Sequence, residues 1–126
     1  MVKSPTNSKA CIRALRDAEQ IRRCKDLILQ QNEAITNSAA TFNLCASPVR
    51  LSILRLLEEE QELCVCDLAE ILDLSVPAVS QHLRKLKQAE AVTSRRSGNT
   101  IYHTVKPEFS LQLSQATSLL STTVTA

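Results

Sequence analysis

Asp73-Leu74-Ser75-Val76-Pro77-Ala78-Val79-Ser80-Gln81-His82-Leu83-Arg84-Lys85-Leu86 reads as a tight turn running into a helix. Ser75 can accept a hydrogen bond from the free amides of a first helical turn, and Pro77, which has no amide hydrogen, is at home in that turn. Val79, Leu83 and Leu86 then recur at three- and four-residue spacing, one apolar stripe on a helix that extends to about residue 90. Ahead of the turn, residues 63–72 carry Leu68, Ile71 and Leu72 as a short core-facing stripe. Two short helices joined by so tight a turn form a helix-turn-helix unit.

Downstream the period changes. Residues 91–95 and 100–105 are β-prone runs around Ser97-Gly98-Asn99, and Gly98, the chain's only glycine, suits a hairpin turn that needs positive φ. A hairpin directly after a helix-turn-helix is a wing. Pro107 opens a last helix with Leu111, Leu113, Ala116, Leu119 and Leu120 as its apolar positions. Upstream, Asp17-Ala18-Glu19-Gln20 has the form of a capping box and starts a helix over residues 18–33, with Ile21, Cys24, Leu27 and Ile28 on one face. A second helix is expected over residues 37–59, bent at Ser47-Pro48 and buried through Leu51, Leu54 and Leu57, with Ile53 and Leu56 widening the stripe. The fold class is therefore mainly α: a winged helix-turn-helix of about five helices plus a two-stranded β-wing. Residues 1–16 form an N-terminal arm, 17–120 the domain and 121–126 a frayed tail.

The length of 126 residues fits one domain, and an aromatic content of 2% makes its core aliphatic. No apolar run approaches the roughly 18 residues of a membrane span. The first residues are polar, with no signal-peptide core. A cytoplasmic protein that leaves membranes alone is expected, and its five cysteines then suit metal or thiol chemistry better than a disulfide framework. The charge is uneven: residues 55–73 sum to −6 and residues 80–106 to +5. A basic segment beside an acidic one suggests a polyanion-binding face on one part of the fold.

In a helix-turn-helix the second helix lies in the major groove. Here it presents Ser75, Ala78, Ser80, Gln81, His82, Arg84 and Lys85 away from its apolar stripe. Ser80, Gln81 and His82 suit base edges, since Gln can read adenine bidentately and Ser can contact several bases. Arg84, Lys85 and Lys87 suit phosphates, Arg95 and Arg96 lead into the wing tip, placed to track the DNA backbone or enter a minor groove, and Asn99 is a further DNA-contact candidate at the wing. Double-stranded DNA is the expected partner. An enzyme is not expected: Ser80 and His82 do not face one another on a helix, no nucleophile elbow surrounds them, and one glycine excludes a phosphate-cradling loop.

Cys64-Val65-Cys66 stands where the third core helix begins. The free amides and dipole of a helix start favour anions, and the thiolate is the form of cysteine that binds metal. A strand could give the same spacing. Cys45 lies in an apolar run and suits core packing, and His103 falls in the second wing strand.

From about residue 40 to 105 the chain resembles the ArsR/SmtB family of metal-sensing winged-helix repressors. The resemblance rests on Ser47-Pro48-Val49-Arg50-Leu51-Ser52-Ile53-Leu54, Glu62-Leu63-Cys64-Val65-Cys66-Asp67-Leu68-Ala69, Val79-Ser80-Gln81-His82-Leu83-Arg84-Lys85-Leu86 and Gly98-Asn99-Thr100-Ile101-Tyr102-His103, in that order. It implies a homodimer built on the first and last helices, an operator of two-fold symmetry, and release of DNA when metal binds. It also implies that Cys64 and Cys66 are metal ligands.

One variant of the family has a third cysteine where this chain has Ala69, so two thiolates leave the coordination incomplete. In the cadmium/lead-sensing branch a cysteine-bearing N-terminal arm supplies the rest. Cys11 resembles that role and Cys24 falls later than it, so Cys11, Cys24 or both complete the site, from the same or the partner subunit. A second family site of Asp, His and Glu on the last helix is not expected, because that helix offers only Glu108. Three thiolates suit As(III), Pb(II) or Hg(II), and four suit Cd(II) or Zn(II). A thiol-redox trigger on the same fold, with Cys11 or Cys24 forming a disulfide with the pair, and a metal-buffering protein without an operator are the competing readings.

Overall fold

A computed structural model describes residues 14–120. In chain order these form α1 (Ala18–Cys45), α2 (Pro48–Glu60), β1 (Leu63–Cys64), α3 (Val65–Leu72), α4 (Val76–Gln88), β2 (Val92–Ser97), β3 (Thr100–Val105) and α5 (Pro107–Leu120). The expected winged helix-turn-helix with five helices is present, with two differences. The sheet has three strands rather than two, and α1 runs unbroken where two helices were expected. The expected tail, most of the arm and Cys11 lie outside the described residues.

The chain divides into two units, one ending at Asn32 and one starting at Glu33. The first holds the opening half of α1. Asp17 caps it, its Oδ1 accepting from the Gln20 amide at 3.0 Å. Arg22 pairs with Glu19 and, at 3.5 Å, with Asp26. Leu27, Ile28 and Leu29 of this segment are exposed.

In the second unit, α1 ends against α2 and α5. Arg50 Nε donates to the Leu44 carbonyl at 2.7 Å, and Gln112 Nε2 donates to Thr41 Oγ1 at 2.9 Å. Ser47 caps α2 by accepting from the Arg50 amide at 3.2 Å, and Pro48 enters its first turn. No break occurs near residue 35, because Ala34-Ile35-Thr36-Asn37 contains neither Pro nor Gly to stop a helix. The core gathers Ile53, Leu54 and Leu57 of α2, Leu68 and Ala69 of α3, Val79, Leu83 and Leu86 of α4, Ala91 and Val92 at the wing's base, and Phe109 of α5.

The strands run in the order β1-β3-β2, both pairs antiparallel. Leu63 and Cys64 oppose His103 and Tyr102, while β2 and β3 are paired from Val92↔Val105 to Ser97↔Thr100. Gly98 starts the two-residue turn at φ +62°, a conformation most side chains avoid. Phe109 is 3% exposed, so one of the chain's few aromatics is a core residue in an otherwise aliphatic interior.

Candidate nucleic-acid interface and thiol pair

The two helices of the unit, α3 and α4, meet through a turn that the backbone closes locally. Asp73 takes φ +59° and its amide reaches back to the Ala69 and Glu70 carbonyls, while the Leu74 amide donates to the Ala69 carbonyl at 2.9 Å. Ser75 then caps α4, its hydroxyl accepting from the Ala78 amide at 3.2 Å. The buried stripe of Val79, Leu83 and Leu86 fixes the rotation of α4, and so fixes what it shows to solvent. Gln81, Arg84 and Lys85 are exposed with Ser75, while Ala78, Ser80 and His82 are half-buried beside them. Lys85 and Lys87 fall in the last turn, where a cation suits the helix dipole.

The wing is tied to this helix. Lys87 Nζ donates to Ser94 Oγ at 3.0 Å. Arg96 and Asn99 are exposed near its tip, and Arg96 forms no ion pair among the described residues. Arg95 is engaged differently. Its guanidinium donates to both carboxylate oxygens of Glu62, at 3.0 and 2.5 Å, and lies 4.9 Å from the centre of the Tyr102 ring. The arginine holds the Glu62 carboxyl below the usual carboxylate range. At the other end of the hairpin Lys106 pairs with Glu90.

His103 is buried on β3, opposite Leu63 on one side and Ser94 on the other. Its Nδ1 has no partner among the described residues. Burial, then the nearby Lys87 charge, pushes its proton affinity below the ordinary imidazole value.

The cysteines separate into three settings. Cys64 is half-buried, ends β1 and occupies the N-cap of α3 with no side-chain capping bond. Cys66 is exposed in the first turn of α3. Both thiols are free, as are those of Cys24, exposed on α1, and Cys45. Cys45 packs partly buried against the core, and that burial raises its thiol pKa. Among the described residues, no three or more His, Cys, Asp or Glu side chains gather as a metal site.

Glu62, Tyr102 and Lys87–Ser94 are the contacts that sequence reasoning did not connect. A strand of two residues leaves no periodicity to read, so nothing placed Cys64 beside the wing. The available signal was the β-compatible Leu63-Cys64 run next to an acidic residue and a wing arginine of opposite charge.

Three comparisons with known proteins bear on these features. A family profile described as "Bacterial regulatory protein, arsR family" matches residues 47–94. The chain is similar to the cadmium resistance transcriptional regulatory protein CadC of Listeria innocua, 42% identical over 52% of this chain and 55% of that protein. It thus spans little more than half that relative's length. It is 36% identical to the transcriptional repressor SmtB homolog of Synechocystis, over 75% of this chain and 70% of that one. Among solved structures, the regulator HlyU from Vibrio vulnificus matches with a TM-score of 0.57 at 34% identity, over 79% of this chain and 99% of that one. No helix among the described residues is long and apolar enough to cross a membrane.

Proposed function

The chain belongs to the arsR family of bacterial regulatory proteins, and from that premise we propose that it is a metal-sensing transcriptional repressor. The family is one of DNA-binding transcriptional regulators, not of enzymes. In this reading a homodimer holds operator DNA, and a thiophilic ion at Cys64 and Cys66 releases it.

The observation that carries the proposal is the placement of the pair. One free thiol stands at the N-cap position of the first helix of the helix-turn-helix and the other lies in its first turn. A soft donor pair with no hydrogen bond at the cap fits a thiophilic ion, as part of its shell. Further donors are Cys11 and Cys24, one or both, from either subunit. The ion supplies attraction between thiolates that are apart in sequence. The effector is As(III), Cd(II), Pb(II) or Hg(II), with Zn(II) suited to a four-thiolate site. A relative named for cadmium resistance and others named for arsenical resistance support this class of ion.

On DNA, Ser80, Gln81 and His82 read base edges from α4, with Ser75 and Ala78 at its entrance. Arg84 and Lys85 meet phosphates, and Arg95, Arg96 and Asn99 act from the wing. To act as a switch the ion must favour the form that binds DNA poorly, and a coupling of about 1–3 kcal/mol is typical.

A Cys64→Ser/Cys66→Ser variant tests this. It should bind a duplex selected by the wild type from a random pool with unchanged affinity, and keep that affinity in Cd(II) or As(III). Release of DNA by metal from the double variant would sink the assignment. The exposure of Cys66 favours one further reading, a peroxide-driven disulfide with Cys11 or Cys24. Thiol counting after peroxide, beside metal titration, separates the two.

A further inference from the structure

We propose that Tyr102, Arg95 and Glu62 are positioning residues that carry the state of the Cys64 thiol to the wing. The inference rests on the reading of Cys64 as an effector ligand. Cys64 opposes Tyr102 across β1 and β3, and Tyr102 opposes Arg95 across β3 and β2. Directly opposed residues share a sheet face, with Cβ atoms about 5 Å apart. The thiol, the ring and the guanidinium therefore form one row across the sheet.

On that face Arg95 lies over the ring at 4.9 Å and grips Glu62 with two bonds of 3.0 and 2.5 Å. Glu62 immediately precedes β1. The outer strands β1 and β2 share no ladder, since β3 lies between them. The Arg95 side chain spans that gap. It fastens a wing strand to the segment bearing Cys64, by a planar two-bond grip that a flexible surface lysine could not reproduce. A substituent on Cys64, whether an ion or a covalent adduct, meets the ring opposite and disturbs the stack and the grip together. Released from Glu62, β2 keeps its hold on the body through β3 and Lys87–Ser94, and the wing is free to leave its DNA-bound position.

The molecule supplies its own probe. Tyr102 is the only tyrosine and the chain has no tryptophan, so its emission reports this row alone. In one arm, a variant keeping only the Cys64 thiol (Cys11, Cys24, Cys45 and Cys66→Ser) is alkylated with iodoacetate, the thiolate displacing iodide. Tyr102 emission should change on alkylation, and should not change when Cys66 is the sole thiol. In the other arm, Glu62→Gln is titrated with Cd(II) while thiolate-to-metal absorption and DNA affinity are read together. Glu62 is acidic and unsuited to DNA contact, so this variant spares the DNA face in a way that Arg95→Gln does not. It should load Cd(II) as the wild type does, yet show at most a third of the wild-type fold-loss in DNA affinity. Unchanged emission on Cys64 alkylation, or a full metal response in Glu62→Gln, would overturn the proposal. Should wild-type DNA affinity ignore Cd(II) while Tyr102 still answers Cys64 alkylation, the sensing function fails and the link from Cys64 to the wing stands.

Discussion

Leu68 shows how a single side chain reports the fold. It is fully buried on an eight-residue helix, so its packing rather than helix propensity holds α3 in place. Leu68→Ala is expected to cost about 2–5 kcal/mol, read from urea denaturation. Its burial was legible from spacing, as was the inward side of Leu72. Ile71 was expected inside and is 54% exposed, because Leu68, Ala69 and Leu72 set the inward face and Ile71 lies well around the helix from it. Leu51 is displaced from Ile53, Leu54 and Leu57 for the same reason, the apolar stripe being wider than the buried one. His103 adds a pH dependence. Its folded-state affinity for a proton is lowered, so below about pH 6.5 the unfolded chain takes up protons that the folded chain refuses. Stability should be full above that pH and decline as the pH falls through the folded pKa. The urea midpoint of His103→Gln should decline less over the same interval, and an equal decline would assign the effect elsewhere.

At the scale of elements, the helix starts were the most legible part of the chain. Asp17 and Ser75 each accept the amide bond their residue type suggested, and Ser47 does the same at the start of α2. Ser75→Ala removes one such bond from α4 and should cost about 1 kcal/mol, measured as a loss of thermal stability. Gly98→Ala should destabilise the wing through its φ of +62° alone, since nothing lies within 4 Å of an added Cβ. The loss should be about 1 kcal/mol and should leave α3 and α4 intact by circular dichroism. The elements misread were those without punctuation or length. Residues 34–37 gave no reason to stop α1, and a two-residue β1 is too short to show alternation. That short strand mattered most, because it brings Cys64 beside Tyr102 and the wing. Its partners lie about forty residues on, a pairing that only the folded chain reveals.

For the whole molecule, the exposed apolar residues carry the next expectation. Leu27, Ile28 and Leu29 on α1 and Leu111 and Leu120 on α5 are exposed. In a homodimer built on these helices they become buried, so Leu27→Glu should give a monomer by sedimentation and lose DNA affinity without unfolding. A dimer that persists in this variant would place the interface on another surface. The family and the helix-turn-helix were legible because their residues are contiguous in sequence. The closure of the proposed metal shell was not, because its further ligands would come from residues far apart in the chain. The central claim is that loading the thiol pair drives the protein from DNA. Its most direct measurement is one titration of the reduced wild type on a labelled, protein-selected duplex, with Cd(II) added while anisotropy and thiolate-to-metal absorption are recorded in the same cell. Anisotropy should fall as absorption rises, with both reaching one stoichiometric endpoint. Absorption that saturates while the DNA stays bound would contradict the account.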